Sequence, residues 1–285
     1  MKKAISYSLF GHGKPRQESS FDFNSYLRGL MISIRMNRLI MPEWVTVLNT
    51  DKTTYEAFKD LFDNCGIEVL VHKEADLCKA MVWRLKPVYE MDGGQWKYSH
   101  VLCRDLDSPI TWREAKCVQY WLNKGTAIHA ITDSVSHNIP MLGGMIGINT
   151  AHWTVRMPNT WEELLGMDRN IDYKVKGSDQ TFLNNCVYPQ WARQGTDSIT
   201  QHYLKGMPNT FLSDYHTEVP EYIELCLPAD LMESNCVCGH IGAAGAYMGA
   251  LEKFLRKYED RFEDLRKWEA NYPKIFYWIE CGSFA

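Results

Sequence analysis

Apolar and polar residues alternate along the first half of the chain in a strand–helix rhythm. Ala4 to Phe10 is a short apolar-rich run that ends at Gly11, and it predicts a strand. Trp44 to Leu48, Ile67 to Val71 and Tyr98 to Cys103 are β-branched or apolar runs of similar length and predict three more. Between them the period changes. After a polar loop from Gly11 to Ser20, Tyr26, Leu30, Met31 and Ile34 fall at helical spacing. Thr53-Thr54-Tyr55-Glu56 reads as a capping box in which Thr53 and Glu56 satisfy each other's orphan amides. Asp76 is a candidate cap for a third helix running to Lys86, with Pro87 as its stop. This alternation predicts an α/β domain whose mostly parallel sheet is covered by helices on both faces. Ligands of such sheets bind outside the carboxyl ends of the strands, so chemistry is to be sought there.

The second half is less regular. Thr111-Trp112-Arg113-Glu114 predicts a capped helix to about Leu122, and Ala127 to Ile131 a strand. Pro140 to Ile148 carries Gly143-Gly144. Thr160 to Glu163 opens another capped helix, and Gly177 to Leu183 one more. Tyr247, Leu251, Phe254, Leu255, Tyr258, Phe262, Leu265 and Trp268 recur at spacings of three and four, which predicts one long C-terminal amphipathic helix. No repeat, linker or low-complexity segment divides the 285 residues, so a single domain is expected.

Composition narrows the function classes. A net charge of −4 and a pI near 6.1 leave no basic footprint for nucleic acid or an anionic membrane. No apolar run approaches the roughly 20 residues of a membrane span, and the polar N-terminus lacks a signal-peptide core. A cytoplasmic protein is the expectation. Nine cysteines without framework spacing suit reduced thiols. Cys236-Val237-Cys238-Gly239-His240 has the look of a zinc fragment but lacks a second cysteine pair. The many aromatics (10 Trp, 15 Tyr, 11 Phe) suit a large core before they suit sugar stacking, and Trp112, Trp121 and Trp153 are read as packing residues.

The candidate chemistry centres on Arg104-Asp105-Leu106-Asp107, directly after the run Tyr98 to Cys103. In an extended backbone Asp105 and Asp107 would project together. Two carboxylates this close repel unless a cation lies beside them. Mg²⁺ and Mn²⁺ take such oxygen ligands and complete their shells with substrate phosphates. With 35 acidic residues an Asp-x-Asp also arises by chance as a solvated loop; the apolar strand before it is what favours a site.

With these residues in order, the chain resembles bacterial and viral sugar-nucleotide-dependent glycosyltransferases of the GT-A type, including the glycogenin and lipopolysaccharide galactosyltransferase group. The resemblance runs through Ile5 to Gly11, Arg104 to Ser108, Ile139 to Gly147, Ser178 to Asn184 and Gly239 to Gly242. It implies a single Rossmann-type domain over 1–285, with a nucleotide-binding half at 1–110, an acceptor and sugar half at 111–242, and a helix and tail at 243–285. It implies Asp105, Asp107 and His240 as ligands of Mn²⁺ or Mg²⁺, with Asp105 also able to reach the ribose. Ser8, Leu9 and Phe10 match the strand end that holds the base. Gly143 and Gly144 match the segment whose backbone approaches the sugar. Asp179 would contact the donor sugar and Gln180 face its anomeric carbon. The substrates implied are a nucleotide sugar and a glycan or lipid-linked acceptor. There are departures: Thr181 stands where the group has a further aspartate, and Ala243-Ala244-Gly245 replaces the usual Lys-Pro-Trp.

Arg84 and Arg104 are candidates for bidentate phosphate contact, with a surface position as the alternative for Arg84. Asp133 and His137, four apart, would share a helical face, while His129 and His152 stand among apolar neighbours as core or rim residues. Two other readings remain open. A nucleotidyltransferase or metal-dependent phosphoesterase also uses paired aspartates, and Gly11-His12-Gly13-Lys14 faintly suggests its phosphate loop without the true spacing. A non-catalytic carbohydrate-binding domain of the same fold is the third.

Overall fold

The computed structural model describes residues 1–14, 22–73, 77–132, 139–168, 170–192, 198–204, 221–223 and 251–276. Its strands are β1 (Lys2–Leu9), β2 (Trp44–Asp51), β3 (Glu68–His72), β4 (Met91–Asp92), β5 (Gln95–Trp96), β6 (Tyr98–Arg104), β7 (Ile128–Thr132), β8 (Met145–Asn149), β9 (Ile199–Leu204) and β10 (Glu221–Ile223). Eight form one sheet in the order β10-β9-β7-β8-β6-β1-β2-β3, and β4 with β5 makes a small hairpin. Every neighbour pair in the large sheet is parallel except those of β8, which runs antiparallel between β6 and β7. The mostly parallel α/β architecture is thus as the hydrophobic pattern predicts.

Adjacent strand residues enter opposite cores, as a strand buried on both faces requires. Ala4, Val101 and Cys103 join one apolar layer with Trp83, Val88, Trp153 and Phe182. Ile5, Tyr7 and Leu102 join the other with Leu30, Phe62, Trp121, Leu251 and Phe262. Trp121 and Trp153 are both fully buried, one in each layer, so their aromatic area serves packing. Trp112 is half-buried, with Phe254 edge-on.

Helix α1 (Phe23–Ile40) is longer than its apolar spacing alone defines, because Asp22 caps it by accepting the amides of Asn24 and Ser25. No helix among the described residues is long and apolar enough to cross a membrane. At α2 (Lys52–Ala57) the expected Thr53 capping box is replaced by a cap at Asp51, two residues earlier. Asp51 has more to satisfy than a threonine could: one carboxylate oxygen takes the Thr54 amide at 2.9 Å, the other the Gly11 amide at 2.6 Å. Helix α3 (Lys59–Asn64) follows at once. Next, α4 (Leu77–Ala80) leads into a 3₁₀ helix, Met81–Tyr89. Pro87 lies inside that helix rather than stopping it, since its fixed φ suits 3₁₀ geometry. The capping threonines at 111 and 160 are as expected, opening α5 (Trp112–Lys124) and α7 (Trp161–Leu165), with α6 (Thr150–Trp153) between. Helix α8 (Ser178–Phe182) continues through a π turn, Leu183–Val187, into α9 (Tyr188–Ala192).

The C-terminal segment corrects the expectation of one long helix. Residues 251–255 are helical, Arg256–Phe262 tightens to 3₁₀, and a separate helix, Glu263–Glu269, starts after Phe262 leaves helical geometry at φ −126° and ψ 21°. The cause is tertiary. Arg35 of α1 is fully buried against this segment, held by both oxygens of Glu269 at 2.6 and 2.8 Å, with Glu259 at 3.8 Å. Its guanidinium also lies against the Phe262 ring.

Glu252, nearby and 4% exposed, has its carboxyl pushed up to about 7 by burial, against the opposing pull of Arg28, Arg256 and Arg35. A carboxyl whose folded value is raised favours the native state below its ordinary 4.5, and that contribution fades as pH rises through 7. Glu252→Gln is therefore expected to unfold at higher denaturant concentration than wild type at pH 8, with the difference closing by pH 4.5. Paired urea titrations check it.

Candidate functional site

The chain runs outward from β1 through β2 to β3 and then returns to place β6 on the other side of β1. The carboxyl ends of β1 and β6 therefore flank the point where the strand order reverses, the place where open α/β sheets hold ligands. Ser8, Leu9 and Phe10 stand at one end and Arg104 to Asp107 at the other. The topology brings together what the sequence separates by about a hundred residues.

The Asp105–Asp107 segment is a turn, closed by the Ser108 amide on the Asp105 carbonyl at 3.2 Å, rather than the extended stretch expected. Three devices hold it. Leu106 is buried in the α1 layer. Gly29 lets α1 approach so closely that a Cβ there would overlap the Leu106 carbonyl. Arg104, 1% exposed, donates to the Gly144 carbonyl at 2.5 Å and to the Ser108 carbonyl at 2.6 Å, and pairs with Glu114 at 3.1 Å. The guanidinium expected to reach phosphate is thus turned inward, where it ties the aspartate turn to the glycine pair and to α5.

Arg84 is also buried, which settles its surface alternative. One of its Nη atoms pairs with Asp105 Oδ1 and the other with Asp179 Oδ2, so it joins the β6 turn to α8. Gly143 and Gly144 make room for this. A Cβ on Gly143 would stand 2.5 Å from both Arg84 Nη2 and Asp179 Oδ2. One on Gly144 would overlap the Asp105 carboxylate and sit 2.9 Å from its amide nitrogen. Neither glycine adopts a positive φ, so the need is for space. Asn184 stabilises the arrangement by bonding the Met141 amide and carbonyl at 3.0 and 2.8 Å and the Gln180 carbonyl at 2.8 Å. Gln180 itself is half-buried.

If Asp105 holds a divalent ion, Gly144→Ala, whose added methyl would overlap the Asp105 carboxylate, is expected to lower cation affinity and the turnover that depends on it about a hundredfold, the usual cost of misplacing a site group by an ångström. A circular dichroism spectrum like that of wild type, with the affinity loss seen by calorimetry, checks it.

The electrostatics are those of an acidic site. Burial, and then the neighbouring charge of Asp105, push the Asp107 carboxyl up to about 6 despite Arg104 and Arg84. Burial also raises Asp179, against the pull of Arg84. Asp179 Oδ1 and Ser178 Oγ are buried without a hydrogen-bond partner, as is Ser8 Oγ. Among the described residues no group of three or more histidines, cysteines or acidic residues converges as a metal site. The fit to a divalent ion rests on the two oxygen donors Asp105 and Asp107 and on the strained charge of Asp107. Such a pair suits an ion that takes its remaining ligands from phosphate and water.

Sequence reasoning missed an aromatic panel beside β1 to β3. His72, the last residue of β3, stacks on Trp83 at 4.5 Å and bonds Asn49 Oδ1 at 3.0 Å; Phe10 meets Trp83 edge-on. Burial, then Lys86, push His72 down to about 4, so it is neutral at physiological pH. A polar residue closing an apolar strand was the available signal. The Gly11–Lys14 loop is no phosphate cradle here, since Asp51 takes the Gly11 amide and Thr54 Oγ1 the His12 amide. His129 is a core residue stacked on Trp121, and His152 is exposed. His240, Asp133, His137, Cys236 and Cys238 lie outside the described residues.

No protein-family description matches the chain, and no curated protein does. Solved structures with a related overall shape include the glycosyltransferase GlyE of Streptococcus pneumoniae TIGR4, at 14% identity and a TM-score of 0.45, over 70% of this chain and 45% of that one. The chain thus spans less than half the length of GlyE. A protein assigned as a nucleotide-diphospho-sugar transferase from Desulfovibrio desulfuricans G20 is similar at 11% identity and a TM-score of 0.45, over 94% of this chain and 99% of that one. The 4-diphosphocytidyl-2C-methyl-D-erythritol synthase of Anaerococcus prevotii DSM 20548 is similar at 10% identity and a TM-score of 0.40, over 70% of this chain and 86% of that one.

Proposed function

We propose that this chain is a nucleotide-sugar-dependent glycosyltransferase. It moves a hexose, UDP-linked by preference, to a glycan or lipid-linked acceptor, in the manner of the glycogenin and lipopolysaccharide galactosyltransferase group. The observation that carries the reading is the meeting of Asp105, Asp107, Arg84, Asp179 and the Gly143-Gly144 turn where the strand order reverses. The sequence resemblance singles out Asp105, Asp107, Asp179, Gly143 and Gly144, and together with Arg84 they come from four separate stretches of chain.

In this reading Asp105 and Asp107 hold Mn²⁺ or Mg²⁺, which supplies Lewis acidity toward the departing nucleoside diphosphate. The base lies along Ser8 to Phe10 beside the Trp83–His72 stack, where an aromatic face and the Ser8 hydroxyl are at hand. The partnerless Asp179 Oδ1 accepts a hydrogen bond from a sugar hydroxyl, and Gln180 follows it toward the anomeric carbon. Gly143 and Gly144 leave room for the Arg84, Asp105 and Asp179 groups that would face the donor. The internal use of the Gly11 and His12 amides speaks against a nucleotidyltransferase phosphate loop. Action in the cytoplasm belongs to the same reading, supported by the free thiols of Cys65, Cys103 and Cys117.

The test is nucleotide release from UDP-, GDP- and CMP-sugars, with and without Mn²⁺. Release of UDP from a UDP-hexose that depends on Mn²⁺ is expected. Release from none of them, with no calorimetric binding of UDP, would remove the proposal.

A further inference from the structure

We propose that Arg84 is a resident counter-ion of the acidic site, and that a divalent cation binding at Asp105 and Asp107 displaces its guanidinium from Asp105 onto Asp179. The inference rests on the reading of Asp105 and Asp107 as the ion-holding pair.

Arg84 is 4% exposed on the 3₁₀ helix, and its two Nη atoms bond carboxylates from two different parts of the chain. Burying a guanidinium is costly unless its donors are matched, so this bridge is a defined arrangement. Its room is made by Gly143, where any Cβ would crowd both Arg84 Nη2 and Asp179 Oδ2. Charge counting gives the bridge a purpose. Arg104 is paired with Glu114, which leaves Arg84 as the cation set against Asp105, Asp107 and Asp179. Three carboxylates against one guanidinium leave an excess of two negative charges, the charge a divalent ion would cancel.

The difficulty is that Asp105 Oδ1 is already taken. An ion that uses Asp105 as a ligand meets a positive charge on that carboxylate; the Asp105 side chain is 42% exposed but Arg84 is shut off from solvent, so the two cations on one carboxylate still repel. The structure contains a way out. Asp179 uses only Oδ2 on Arg84, and its Oδ1 is buried with no partner. When the Nη1 donor leaves Asp105, it has an acceptor waiting on the same carboxylate that already holds Nη2. The result is a two-pronged Arg84–Asp179 pair, the favoured geometry for guanidinium and carboxylate. No proton moves and no bond other than hydrogen bonds changes.

The distinguishing experiment is calorimetric titration of nucleotide-free protein with Mn²⁺, which needs no turnover. Asp179→Asn removes the second home of the guanidinium and leaves it on Asp105. Mn²⁺ affinity should fall at least about tenfold, although Asp179 is not an ion ligand. Arg84→Gln combined with Asp179→Asn removes the competing cation together with its partner, so no buried charge is stranded and the fold is kept. Its Mn²⁺ affinity should return to the wild-type value or exceed it. A purely structural Arg84 would instead make the double variant bind as weakly as Asp179→Asn or worse, and that result overturns the proposal. So does an unchanged affinity in Asp179→Asn. Mn²⁺ binding to neither wild type nor double variant also overturns it; UDP titration of the same samples then shows whether the nucleotide-binding reading survives alone.

Discussion

On the proposed function, Asp107→Asn should remove Mn²⁺-dependent nucleotide release almost entirely, by a factor of about a thousand or more. A bound divalent ion supplies several kcal/mol of charge stabilisation to a departing diphosphate, and each 1.36 kcal/mol is tenfold in rate. Losing one of only two described carboxylate donors forfeits most of that. The same change should leave the thermal melt at or above that of wild type. Asp107 is held at about 6 by burial and by Asp105, so its ionised form burdens the native state at neutral pH, and asparagine lifts the burden. Two measurements on one sample, release with Mn²⁺ and a melting curve, separate the outcomes. Retained release would take Asp107 out of the site, and a collapsed melt would make it a packing residue.

The largest effect on stability is expected away from the Asp105–Asp107 turn, at Arg35 of α1. Glu269→Ala removes the two short charge-assisted bonds of Arg35, which is fully buried on α1. Breaking one side of a buried ion pair costs about 3–5 kcal/mol, because the remaining charge stays in a poorly solvating interior. That is a large share of the 5–15 kcal/mol by which domains are stable. A fall in melting temperature on the order of 10 °C is expected. Glu259, 3.8 Å from Arg35, recovers little of the loss, since it offers one distant oxygen in place of two close ones. Arg35→Met with Glu269→Leu should recover most of the melt, showing that the stranded charge is the cause. A Glu269→Ala melt within 2 °C of wild type would refute the assignment.

What the sequence disclosed follows from the range of the interactions concerned. Strands β1, β2 and β6 were visible because burial on both faces makes an apolar, β-branched run that depends on no neighbour, and the half-buried edge strand β3 by its β-branched residues. Thr111 and Thr160 were visible because a cap is satisfied within four residues. Asp51 was overlooked because it bonds the Gly11 amide forty residues away as well as its own helix. The antiparallel strand β8 leaves no local mark of its direction. In the candidate site, Asp105 and Asp107 stood out by adjacency. Arg84 was legible only as a candidate for phosphate contact, since the two partners that fix its place lie 21 and 95 residues away. Gly29 is a point of close approach to Leu106, a contact that helical spacing alone does not show. Long-range polar pairings, unlike periodic burial, leave no pattern in composition or spacing.

The Arg35–Glu269 pair also sets a timetable for the nascent protein. Its partners are 234 residues apart, so at 5–20 residues per second they are synthesised roughly ten to fifty seconds apart. Through that interval α1 exists without the surface that covers its arginine, and the layer formed by Leu30, Met31 and Ile34 lacks Leu251, Phe262 and Leu265. Completion of the native state must therefore wait until Glu269 has been made. Cells with slowed elongation would hold the exposed α1 face open longer, and aggregation during synthesis would begin there.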